Sequence, residues 1–104
     1  MEEFLRWVKE CSHMRVTADA LVNPGPAYVI AVHLVASAAG AATALIYNGH
    51  GTGGEAKIDL SAPPSSSDPR LYWPPLYFDK GIYIDVGSNV TSVLIQYYIP
   101  HERE

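Results

Sequence analysis

The stretch Gly49-His50-Gly51-Thr52-Gly53-Gly54 carries the strongest chemical suggestion in this sequence. It holds the spacing G-x-G-x-x-G after a strand-like run, and Asp68 follows at about the distance of a ribose-binding acid. Dinucleotide binding would also need a helix starting at the third glycine, because the helix N-terminus holds the pyrophosphate. The residues after Gly54 read EAKIDLSAPPSS. They alternate with period two and then meet two prolines, so the loop is expected to be a flexible strand connection.

The remaining reactive side chains do not cluster. His13, His33, His50 and His101 lack the H-x-H or H-x-x-x-H spacing of a local metal site. His33 lies inside an apolar run, where a hydrogen-bonded core or interface histidine is expected. Asp59, Asp68, Asp79 and Asp85 are spread over separate elements, which gives no paired carboxylates for acid–base work. Ser65-Ser66-Ser67 has no base nearby in sequence, and no G-x-S-x-G elbow is present. Cys11 is the single cysteine, so neither a disulfide scaffold nor a cysteine zinc site can form within the chain. No catalytic residue, metal or cofactor is expected.

One concentration remains: Tyr72, Trp73, Tyr77, Phe78, Tyr83, Tyr97 and Tyr98. Aromatics of this kind pack cores, build subunit interfaces or line a carbohydrate groove. All three readings stay open on sequence grounds.

The elements that position these residues are mostly strands. Gly81–Pro100 reads as two strands joined by Gly87-Ser88-Asn89, with Ile82, Ile84 and Val86 alternating against Tyr83 and Asp85. The pattern predicts a hairpin. Upstream, His13–Ala18 alternates. Asn23-Pro24-Gly25-Pro26 breaks the chain, and Ala27–Ser37 is apolar on both faces, as a covered central strand is. Ala41–Asn48 and Glu55–Ser61 follow. Ala62–Pro69 is expected as a loop, and Leu71–Phe78 as an aromatic strand interrupted by Pro74-Pro75, which suits only an edge or a bulge. Met1–Cys11 is the one helical-looking piece: Phe4, Trp7 or Val8, and Cys11 fall on one helical face. The same residues also suit an extended arm.

The count is about seven strands at short spacing, which predicts an antiparallel β-sandwich, jelly-roll-like, with a short N-terminal helix or arm. Residues 1–12 are assigned to that helix or arm, 13–100 to the sandwich, and 101–104 to a polar tail. One domain accounts for all 104 residues.

Composition narrows the partners. Charged residues make up 17% of the chain against 48% hydrophobic. So few charges point to surface covered by neighbouring subunits. The net charge is −4 and the seven Lys and Arg are scattered. A nucleic-acid binder carries a basic footprint, so none is expected to bind. The apolar run Ala27–Ala36 is too short to span a bilayer. Met1-Glu2-Glu3 opens acidic where a secretory signal opens basic, so no leader is expected.

Phe78, Gly81, Ile82, Tyr83, Ile84 and Val86, followed by Tyr97 and Tyr98, resemble a pattern of small phage virion proteins. These are β-sandwich modules of the decoration or fibre-base type. The resemblance spans about Ala20 to Pro100. It implies a non-enzymatic structural component of a virus particle, located in the virion. Such a component assembles as a trimer or ring, or with a capsid or tail protein. Phe4, Leu5, Trp7, Val8, Tyr72, Trp73, Tyr77, Tyr97 and Tyr98 are the candidate interface residues. The alternative from the residues themselves is a carbohydrate- or ligand-binding module that uses Tyr72, Trp73 and Tyr77 as a stacking surface.

Overall fold

The computed structural model describes residues 12–99. Met1–Cys11, expected as a helix or arm, lies outside them, as do residues 100–104. The described residues form eight strands: β1 (Ser12–Val16), β2 (Ala20–Asn23), β3 (Ala27–Ala36), β4 (Ala42–Asn48), β5 (Glu55–Ala62), β6 (Ser67–Phe78), β7 (Ile82–Val86) and β8 (Val90–Tyr98). One sheet has the order β1-β8-β3-β6 and the other β2-β7-β4-β5. The fold is an antiparallel β-sandwich.

The pairing is nested. β4 pairs with β5, β3 with β6, β2 with β7 and β1 with β8, all antiparallel. The chain is therefore one long hairpin, with its tip at Gly49–Gly54, folded over so that its halves wrap into two sheets. β3 with β8 and β4 with β7 join the wraps. Eight strands in this order make a jelly roll.

Alternation builds the core. Ile58, Leu60 and Ala62 of β5 are buried while Lys57, Asp59 and Ser61 face water. Leu34, Ile46, Leu60, Phe78, Ile82, Ile84 and Ile95 are fully enclosed between the sheets. Each such side chain contributes about 1.5–3 kcal/mol of transfer free energy.

Three sequence expectations are corrected. There are eight strands, the extra one being β2. It has only four residues, and its Leu21 is exposed, which hid it before the Pro-Gly-Pro turn. β6 begins at Ser67, inside the stretch expected as a loop. It is an edge strand, where polar residues and Pro69 are tolerated. Pro74 and Pro75 sit where the β3–β6 register slips, between the Val29–Leu76 and Ala31–Leu71 pairs.

The third correction concerns Gly81–Pro100. β7 and β8 do not pair. β7 lies between β2 and β4, and β8 between β1 and β3. Gly87-Ser88-Asn89 is a corner that carries the chain from one sheet to the other. Gly87 N–H donates to Thr43 O at 2.9 Å, and a Cβ on Gly87 would run into the Thr43 hydroxyl. Asn89 holds φ at 61°, its side chain donates to Ala41 O at 3.1 Å, and its carbonyl accepts from Ser37 N–H at 2.8 Å. These bonds tie the corner to the β3–β4 turn, which crosses the same gap.

Candidate functional site: the outer face of the β1-β8-β3-β6 sheet

The glycine-rich loop meets its structural fate first. Glu55 starts β5, so no helix follows Gly54 and no helix dipole faces the loop. The loop is fastened to its neighbours instead. His50 Nε2 donates to Pro24 O at 2.6 Å, and Gly49 N–H donates to Gly81 O at 3.1 Å. Gly81 has φ at 136°, and a Cβ there would lie 2.9 Å from Asn23 O. The buried Asn48 donates to Asp79 Oδ1 at 2.7 Å and accepts from Lys80 N–H at 2.9 Å. The Asn48 amide is the main reason the Asp79 carboxyl lies below its ordinary pKa. This end of the sandwich is a knot of loops whose polar groups satisfy one another.

The long side formed by β5 and β6 is also closed. Lys57 Nζ donates to Tyr77 O at 2.8 Å, Arg70 Nη2 to Asp59 O at 3.2 Å, and Ser61 N–H to Asp68 Oδ2 at 3.1 Å. Arg70 also holds both Asp68 oxygens at 2.9 Å. These bonds lower the Asp68 carboxyl below its usual range: the Arg70 hydrogen bond is the largest cause, partial burial opposes it, and Ser61 N–H adds to it. Side chains thus occupy backbone groups that an edge strand would offer to another chain.

Neither closure covers the outer face of the β1-β8-β3-β6 sheet. Residues in register across strands point to the same side. One outward row is His13, Gln96, Ala31 and Leu71; the next is Arg15, Leu94, His33 and Pro69. Between β3, β6 and β8 these rows enclose a shallow groove of about 380 Å³. Leu71 is 75% exposed at its wall, far more than any other large apolar side chain described. Arg15 lies along the face and donates to Ser92 Oγ at 3.0 Å. Beyond the groove a third row holds Tyr98, Tyr28 and Tyr77. The Tyr28 and Tyr77 rings are 4.8 Å apart and tilted by 39°.

The sequence candidates divide on this face. Trp73 and Tyr77 are exposed, at 50% and 43%. Tyr72 turns inward and packs on the core, which removes it from a stacking surface shared with Trp73 and Tyr77. Tyr97 belongs to the core, and Tyr98, though in an outward row, is buried. The structure does not offer those three as free interface side chains. Phe4, Leu5, Trp7 and Val8 lie outside the described residues. Leu71, Leu94 and Ala31 were not singled out from sequence. A lone leucine between Arg70 and Tyr72 has no periodic signal, and only the neighbouring strands make it part of a patch. His33, expected in a core or an interface, is half-buried on the groove.

Among the described residues, no three His, Cys, Asp or Glu side chains stand close enough to hold a metal ion. The arrangement offers an apolar contact surface flanked by imidazoles, an arginine and a tyrosine row. No protein-family model matches the chain, and no curated protein matches it at a significant level.

Proposed function

We propose that this chain is a non-enzymatic structural subunit of a virus particle, most plainly of a phage, which assembles with copies of itself or with a capsid or tail protein. The observation that carries the reading is the nested strand order, β1-β8-β3-β6 over β2-β7-β4-β5. Jelly rolls of this order serve capsid shells and lectins alike. The apolar outer face with Leu71 supports assembly over free solution, as does a chain with only 17% charged residues. The resemblance over about Ala20 to Pro100 to small phage virion proteins supports the virion as the location. The test is mass spectrometry of purified particles produced by the genome that encodes the chain. A fixed copy number per particle is expected; absence from the particles overturns the reading.

The second reading is a carbohydrate-binding module. Trp73 and Tyr77 favour it: both are exposed on the edge strand β6, and Tyr77 lies against Tyr28. Saturable quenching of tryptophan fluorescence by an oligosaccharide, lost in Trp73→Ala, would establish it. No response across a glycan panel would remove it.

A further inference from the structure

We propose that the groove on the outer face of the β1-β8-β3-β6 sheet is the docking site for residues Met1–Cys11 of a second copy of this chain. The proposal rests on the assembly reading above and names the partner and the surface.

Composition is the first argument. Met1–Cys11 carries Phe4, Leu5, Trp7 and Val8 within eleven residues. Four large apolar side chains in so short a segment need a surface to cover them. The groove is the matching surface: it has a leucine 75% exposed, and no described element covers it.

Direction is the second argument. β1 starts at Ser12, opposite Tyr97, and runs towards Val16 beside Val93. Ser12 is thus the tyrosine-row end of β1, and the groove lies in the direction β1 runs. Docking on its own subunit would require an immediate reversal. Met1–Cys11 contains no Gly, Pro, Asn or Asp, the residues that make tight reversals. Continuing onward carries the segment to a neighbour. Eleven extended residues reach about 36 Å, whereas a four-stranded face is about 15 Å across. The segment can cross such a face completely.

Charge is the third argument. The outward rows present His13, Arg15 and His33 and no carboxylate. Met1–Cys11 brings Glu2, Glu3 and Glu10 against Arg6 and Lys9, an acidic excess of one. The complementarity is slight, and it favours the segment over a basic partner.

The test uses full-length chains. One variant combines Phe4→Glu with Trp7→Glu and leaves the groove intact. The other is Leu71→Glu, with Leu71→Ser as a milder version, and leaves the segment intact. Light scattering gives the mass of each, and circular dichroism reports the fold. The wild-type chain is expected to be oligomeric and each variant alone monomeric and folded. An equimolar mixture of the two is expected to form a heteromer, because one partner supplies the groove and the other the segment. A monomeric wild-type chain overturns the proposal, and so do variants that keep the wild-type mass. A mixture that stays monomeric also overturns it and leaves the segment on its own subunit. Absence of the chain from virus particles would sink the proposed location without touching this result.

Discussion

The Arg70 guanidinium holds both oxygens of Asp68 at 2.9 Å, two residues away on the same edge strand, and the same carboxylate accepts from Ser61 N–H on the opposite sheet. An ion pair within one strand thus fastens two sheets along their β5 and β6 edges.

That relationship predicts an acid sensitivity. The folded-state pKa of Asp68 is lowered, as is that of Asp79. A carboxyl with a lowered folded pKa contributes stability that is full above its unfolded value, near 3.8. The contribution fades as pH falls from there through the folded value. Thermal melts should therefore hold a constant midpoint from neutrality to about pH 5 and decline below about pH 4. Asp68→Asn should lose about 1 kcal/mol or less at pH 7, since Arg70 is 41% exposed and water screens the pair. It should also flatten the acid limb. An unchanged limb in Asp68→Asn would assign the acid loss elsewhere.

The loop knot depends on Asn48. Its side chain is 7% exposed and serves both Asp79 and Lys80 N–H. Asn48→Ala leaves the Lys80 amide without its acceptor and should cost about 1–3 kcal/mol by urea unfolding. Asn48→Asp keeps an acceptor for Lys80 but places a second carboxylate against Asp79. It should therefore be more damaging at pH 7 than near pH 3, where both groups take up protons.

Two glycines hold positions a side chain cannot. Gly81→Ala forces a Cβ towards Asn23 O and Gly49 O at φ of 136°, and should cost about 1–3 kcal/mol. Gly87→Val drives a branched side chain into Thr43 at the corner between the sheets. A comparable loss is expected there. Thr43→Ala combined with Gly87→Val should recover part of it, because the hydroxyl in the way is gone. No recovery would place the strain in the backbone.

The centre of the sandwich should respond as close-packed cores do. Leu34 on β3 is fully buried, and Leu34→Ala should lose about 2–5 kcal/mol. Leu71→Ala, on the same sheet but 75% exposed in a single subunit, should change the stability of a subunit freed of its neighbours by no more than about 0.5 kcal/mol. A large loss at Leu71 in the isolated chain would mean that the outer face is already covered.

Much of the sandwich was legible because alternation is a local signal. β5 and β7 show it directly, and a chain of short strands with turns between them has few other architectures. What was not legible depends on partners distant in sequence. Gly87-Ser88-Asn89 has the chemistry of a hairpin turn and of an inter-sheet corner alike. Thr43 O and Ala41 O, more than forty residues earlier, make it a corner. Tyr72, Trp73 and Tyr77 looked equivalent in sequence. Alternation along β6 puts Tyr72 on the core with Leu76 and Phe78 and leaves Trp73 and Tyr77 outside, but which side is the core is set by β3 and β5. The groove was invisible for the same reason: His33, Leu71 and Leu94 come from three strands and meet only when β3 is inserted between β6 and β8.

Nested pairing also sets how this chain can be cut and how fast it can form. Its outermost contacts, such as Arg15 with Ser92, close a separation of 77 residues. Folding dominated by such distant pairings runs in about milliseconds to seconds. A break at the Gly49–Gly54 tip would leave two fragments, each holding one strand of every nested pair. Neither could build a sheet of the native order alone, yet together they retain all four pairs. With Ser12 beside Tyr97, the two ends of the sandwich are already neighbours. The molecule is therefore suited to circular permutation at the tip and to reassembly from halves.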